Sequence, residues 1–299
     1  MRFSKPPKTF KEQIELLKSR GMIIGDYDYC CHHLAHLNYY RLAGYWLSFQ
    51  KDRDSHQFNA GTRFEEILNI YMFDKKLRLL LLNTIERVEV SVRTQWAYHL
   101  AVQHGPHAYL DESLFFQKEV LKKDKEALSK EIDRSHEIFI KHYKKTYEDP
   151  ILPPIWSVCE VMSLGLLSRF FGNLKQKEIR KAIANTYDLD DAVMESLLHH
   201  LAHVRNLCAH HSRIWNRRFT VTIKLPRSKK STLVSYFNAN KKRERNLYNT
   251  LIILIHLMNI INPSNKWRKR LLHLIAEHKI DVRAMGFPID YMKYPVWRV

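Results

Sequence analysis

The sequence predicts an all-α fold, and three observations carry that expectation. Apolar side chains recur at steps of three and four over much of the chain, only eight glycines occur, and helix-starting residues precede the periodic runs. Gly21, Gly61, Gly105 and Gly286 lie at apparent breaks, as short turns between helices require. Thr9 starts a helix that runs to about Arg20, with Gly21 as its stop. A second helical stretch follows Asp26 and ends in the aromatic segment Asn38-Tyr39-Tyr40-Arg41-Leu42-Ala43-Gly44-Tyr45-Trp46. Thr62 and Glu65 form a candidate capping box for a long helix over 64–104. Its apolar stripe reads Leu77, Leu81, Ile85, Val88, Val92, Trp96 and Leu100, spacings that place all seven on one face.

The charged segment over 117–145 predicts a solvent-facing helix within an insertion over 117–150, closed by Pro150, Pro153 and Pro154. Further helices are predicted at about 155–171, 176–187, 190–211, 243–261 and 265–278. The expected exception is the alternating Phe219-Thr220-Val221-Thr222-Ile223-Lys224-Leu225, the best strand candidate, which predicts a small β-ribbon near 219–234. No internal repeat or low-complexity tract interrupts the chain, so a single domain over 1–299 is expected.

With 299 residues and 45% apolar composition, the chain can bury a substantial core. Forty-nine Lys and Arg against thirty-one Asp and Glu give a formal charge of +18, and the field of such a surface favours a polyanionic partner. No apolar run approaches the ~20 residues of a spanning helix, so no membrane partner is expected. Residues 1–10 carry charge and two prolines instead of a continuous apolar stretch, which reads as cytoplasmic. Cys30, Cys31, Cys159 and Cys208 show no paired Cys-x-x-Cys units and read as free thiols.

The segment 190–211 carries the candidate chemistry. Leu197, Leu201, Val204 and Cys208 recur at helical steps and define a buried face. His199, His203, Asn206 and His210 repeat the same steps offset by two residues, about 200° around the helix, and so lie opposite the core. A solvated face is ordinarily rich in Lys and Glu, whereas this one presents imidazoles and an amide. Arg205 can extend its guanidinium towards that row. With four residues between it and His210, it makes an Arg-x4-His pair near a helix end. Imidazole, with an ordinary pKa near ~6.5, can take a proton from a 2′-hydroxyl or return one to a leaving 5′-oxygen. Guanidinium can grip phosphate oxygens as negative charge builds. His211 is a weaker second acid or base. By spacing alone, a structural role remains the commoner explanation for such a pair. His199 and His203 have the i, i+4 spacing of a metalloprotease helix, but position 200 is His where that motif needs Glu, and no carboxylate cluster follows. Neither a metal nor another cofactor is expected.

The run Arg205-Asn206-Leu207-Cys208-Ala209-His210-His211-Ser212-Arg213-Ile214-Trp215-Asn216-Arg217 resembles the signature of the bacterial abortive-infection family of the AbiD and AbiF type. Asn38 to Trp46, Tyr71 to Arg78 continuing into Ile85 to Val90, and Trp156 through Glu160 to Gly165 agree in order, so the resemblance covers roughly residues 10–220. Such proteins resemble the HEPN superfamily, helical bundles whose Arg-x4–6-His motif often forms a metal-independent endoribonuclease site. The resemblance implies an HEPN-like bundle with additional helices and catalytic roles for Arg205, Asn206 and His210, with Glu160 a supporting acid. HEPN sites are usually composite, which implies either a homodimer or a second motif, for which Arg93 and His99 are the candidates. Those two are separated by about 120° on one helix and read equally well as a phosphate contact and a buried histidine.

Basic clusters at 141–145, 213–218, 227–230, 241–245 and 266–270, interleaved with Tyr143, Trp215, Tyr236 and Trp267, predict a groove that holds phosphate and stacks bases. Arg213, Trp215, Arg217, Arg218, Lys229, Lys230, Lys241, Lys242 and Arg268 are the candidate RNA contacts. The aromatic residues of 38–46 read as core before they read as base-stacking platforms. The family implies anti-phage defence, with the nuclease restrained by a small noncoding RNA or by a protein antitoxin. The alternative is a non-catalytic RNA-binding scaffold using the same groove. A DNA-binding regulator has the charge but lacks a helix-turn-helix or zinc finger.

Overall fold

The computed structural model describes every residue except Met1, Phe3, Lys5, Arg53, 226–231 and Val299. The described residues form twelve α-helices and no β-sheet, an all-α fold as the periodicity predicts. The backbone divides into two compact units, one of Met1–Arg78 with Leu272–Asp281 and one of Leu79–Leu271 with Val282–Val299. All four glycines expected at breaks have positive φ, the left-handed conformation that a residue without Cβ adopts at little cost.

In the first unit, α1 (Phe10–Ser19) is started by a complete capping box. The Thr9 side chain accepts from the Glu12 amide, and the Glu12 carboxylate accepts from Thr9. The helices α2 (Tyr27–His36) and α3 (Tyr39–Trp46) follow, capped by Asp26 and Asn38. The long helix α4 (Phe64–His104) has the predicted limits, but not the predicted cap. Thr62 donates its hydroxyl to the Asn59 carbonyl, and Glu66 instead reaches back to the Arg63 amide at 3.2 Å. Glu65 is drawn away to the Gly25 amide. Tyr45 and Trp46 are core, and the Tyr45 hydroxyl donates to Asp74 at 2.6 Å beside the buried Asp74–Arg78 pair.

In the second unit, Leu81, Ile85, Val88, Val92, Trp96 and Leu100 of α4 are buried as their spacing predicts. The charged stretch after Gln117 is two helices, α5 (Lys118–Arg134) and α6 (Ile138–Thr146), where one was expected. Nor is α5 purely solvent-facing, because Leu121, Leu128 and Ile132 are buried and the helix packs on α8 (Leu164–Asn173). The helix predicted over 155–171 is likewise broken, into α7 (Ile155–Val161) and α8, with Ser163 capping the second piece. Then come α9 (Lys177–Asn185), α10 (Asp191–Ala209) and α11 (Leu247–Ile261), the last buried almost all round. The chain continues into α12 (Trp267–Glu277).

The strand expected at Phe219–Leu225 does not form. This segment runs irregularly along α10, its Val221 carbonyl taking a hydrogen bond from His200 and its Lys224 amide donating to the Ser196 hydroxyl. Side chains of α10 therefore satisfy backbone groups that a ladder would otherwise pair.

Candidate functional site on α10

The core stripe of α10 is as the sequence predicts: Leu197, Leu201, Val204 and Cys208 are buried, together with Val193, Met194 and Leu198. The opposite row leaves His199, Asn206 and His210 exposed and His203 partly exposed. Arg205 Nη1 donates to Asn206 Oδ1 at 3.1 Å, so the amide aligns the guanidinium on that side of the helix. His210 is the C-cap, with φ −88° and ψ 17°. The turn closes as a Schellman motif: the Ser212 amide donates to the Leu207 carbonyl at 2.8 Å and the His211 amide to the Cys208 carbonyl at 3.1 Å. His211 consequently takes the left-handed position, φ 56°, where glycine is commonest. Arg205, Asn206 and His210 are thus gathered on the last turn and a half of one helix, with His211 beyond its end.

His200 behaves differently from its neighbours. It is 2% exposed, with Nδ1 2.8 Å from the Val221 carbonyl and Nε2 2.8 Å from the Thr250 hydroxyl. A carbonyl can only accept, so Nδ1 carries the proton and Nε2 accepts from Thr250. Burial pushes the His200 pKa down to about 4, with the hydrogen bond to Val221 opposing and His203 and His199 assisting. The ring is a neutral strut between α10, α11 and 219–224. His203 is also held below the usual imidazole range, by burial first and then by Arg217 and His199.

Beside this row lies a groove of ≈ 670 Å³ between α8, α10 and the segment 221–224. His199, His203 and Asn206 line one wall and Gly165, Ser168 and Arg169 the other, with Lys224 at the edge. Arg169 Nε donates to the buried Asp124 of α5 at 2.6 Å, and the Arg169 side chain remains 52% exposed. Glu195, also in the lining, is paired with Arg180 at 2.7 Å. Arg169 and Lys224 were not singled out from the sequence. The small residues Gly165, Ser168 and Gly172, spaced along one face of α8, were the signal that a cleft opens there.

The remaining candidates are dispersed. The Arg93 guanidinium donates to the Glu160 and Met162 carbonyls at 2.9 and 2.6 Å and pairs with Glu89, so it braces the end of α7. Its contact with Glu160 is to the main chain, and the Glu160 residue itself is exposed. Burial holds His99 below the ordinary imidazole range. Arg218, Lys241 and Lys242 are exposed; Arg213, Arg217 and Arg268 are partly so, with Arg217 donating to the Arg213 carbonyl and Arg268 to the Val296 carbonyl. Trp215 is only 5% exposed and Trp267 is buried with its indole N–H on the Leu80 carbonyl, which corrects the expectation that they stack bases. Their large apolar surfaces are worth more in the core. Lys229 and Lys230 lie outside the described residues.

Among the described residues, no group of three or more His, Cys, Asp or Glu converges as a metal-ligand set, and no helix is long and apolar enough to cross a membrane. No curated protein and no solved structure matches the chain. A family model described as Abi-like protein does match, over residues 32–216, a span containing α3, α4, the α8 and α10 walls of the groove and the Arg205–His210 turn. That span is more than half of the chain, which therefore belongs to the Abi-like family of bacterial abortive-infection proteins.

Proposed function

We propose that this protein is an anti-phage endoribonuclease of the HEPN kind that cuts RNA without a metal ion. Arg205, Asn206 and His210 carry the reaction, and a small noncoding RNA or a protein antitoxin restrains it. The observation that carries the reading is the last turn and a half of α10, where a guanidinium is aligned by an amide that stands one turn before an exposed imidazole at the helix cap. In this reading His210 takes the proton of the substrate's 2′-hydroxyl, and the 2′-oxygen attacks the adjacent phosphorus. Arg205 holds the phosphate oxygens as charge builds on them, and Asn206 keeps the guanidinium in place. The P–O5′ bond breaks, and the 5′-oxygen leaves with a proton from His211 or solvent. The products are a 2′,3′-cyclic phosphate and a 5′-hydroxyl.

The test is cleavage of mixed RNA by purified protein in EDTA. His210→Ala should lower the rate by about 100- to 10,000-fold. RNA affinity should remain near that of the wild type, because many phosphate contacts outweigh one imidazole. A 2′-deoxy substitution at the cut position should stop cleavage of that strand. Undiminished cutting by the variant, or a rate that depends on added Mg²⁺ or Mn²⁺, would sink the mechanism. RNA binding without any cleavage would favour a non-catalytic scaffold.

A further inference from the structure

The groove beside the α10 row has features of a ligand site of which the Arg205–His210 turn uses only Asn206. Its ≈ 670 Å³ falls within the ~300–1,000 Å³ typical of sites that enclose a small ligand or part of a chain. Two basic side chains line it: Lys224, and Arg169, whose side chain stays 52% exposed while paired with Asp124; its lining carboxylate Glu195 lies on Arg180, which Asp191 shares. Arg169 is pre-aimed, because Asp124, buried on α5, holds Nε and leaves the rest of the guanidinium at the mouth. Among the described residues, the groove lining has no Phe, Tyr or Trp. What it offers besides charge is hydrogen-bonding edges: the imidazole of His199, that of His203, whose Nε2 also lies 3.4 Å from the Thr220 hydroxyl, and the amide of Asn206, whose Oδ1 accepts from Arg205. The floor is open at Gly165, where an added Cβ would meet nothing within 4 Å.

We infer that this groove is a subsite for single-stranded RNA. It seats the nucleotide next to the scissile phosphate, with Arg169 and Lys224 on the backbone phosphates and His199 and His203 on the base edge. The inference rests on the reading of Arg205, Asn206 and His210 as the cutting site, since Asn206 belongs to both and links them. A strand gripped at Arg205 must leave that turn in some direction, and the groove supplies polar space beside it that Arg169 and Lys224 line. Base recognition there works by hydrogen bonds, so the subsite discriminates between bases, which a stacking platform does not.

The test is fluorescence-anisotropy binding of a labelled single-stranded pentaribonucleotide, 2′-deoxy at every position able to be cut, to the full chain. Gly165→Leu fills the groove from a helical position whose backbone accepts any side chain, and its Cβ has free space. Lys224→Glu reverses a charge on an exposed side chain whose fold contact is made by its backbone amide. Each should weaken binding by roughly tenfold or more. Thermal melts check that both variants fold. If one does not, the other decides. Wild-type affinity in the folded variants overturns the subsite, as does a wild-type protein that does not bind the pentamer. A free mononucleotide displacing the label as well as an unlabelled pentamer also overturns the assignment to a strand. If both variants lose binding and no RNA is ever cut, the subsite stands and the catalytic reading falls.

Discussion

At the level of single residues, identical side chains on α10 do different work because of what packs against them. His200 and His210 cannot be told apart by composition, and spacing alone offers only their faces. The fold makes one a sealed strut and leaves the other open at a helix cap. The strut has a consequence for stability. The folded-state pKa of His200, about 4, lies below the ~6.5 of an unfolded imidazole, so the folded protein holds this ring neutral. Its contribution is fully present above pH ~6.5. As pH falls from there towards 4, the unfolded chain binds a proton that the native state refuses, and about 3 kcal/mol is lost. Comparing urea midpoints of wild type and the non-titrating His200→Gln between pH 7 and 4 isolates this effect. Parallel profiles would show that His200 is not its source.

Helix ends account for most of what was hard to read at the next scale. Wherever an arginine sits in an amphipathic helix, sequence permits an ion pair on the same helix, a phosphate contact or a tertiary brace. For Arg93 the fold selects the brace, placing its guanidinium on the carbonyls at the end of α7, which have no later turn to receive them. That contact helps set the break between α7 and α8, and the break turns Gly165 and Ser168 towards the groove. Arg93→Ala should therefore cost about 3 kcal/mol by leaving Glu89 without its partner and two carbonyls without their donor. Denaturant unfolding would measure it. A variant as stable as wild type yet unable to cut RNA would instead place Arg93 in the chemistry, as half of a composite site.

For the molecule as a whole, the +18 charge sets how any nucleic acid is met. Each phosphate neutralised on a single strand contributes about −0.7 to the slope of log affinity against log salt. Binding of the pentamer to wild type is expected to fall steeply between low and physiological salt. Lys224→Glu should flatten the slope by about one such contact. A salt-independent affinity would mean that the basic surface takes no part in binding.

The helical class, the limits of α1 and α4, the four left-handed glycines and the two faces of α10 were legible from the sequence. Each is local: helical periodicity and turn chemistry depend on residues a few positions apart. The family was legible for the same reason, since its signature is a continuous run ending at Arg217. Four features required the tertiary structure: the burial of Trp215 and Trp267, the bracing by Arg93, the aiming of Arg169 by Asp124 and the loss of the strand at 219–225. Each depends on a partner distant along the chain. A hydrogen-bonding or apolar group cannot reveal which of several competing partners will reach it first. Only the packed chain decides that, because burying a group unsatisfied costs more than any local preference.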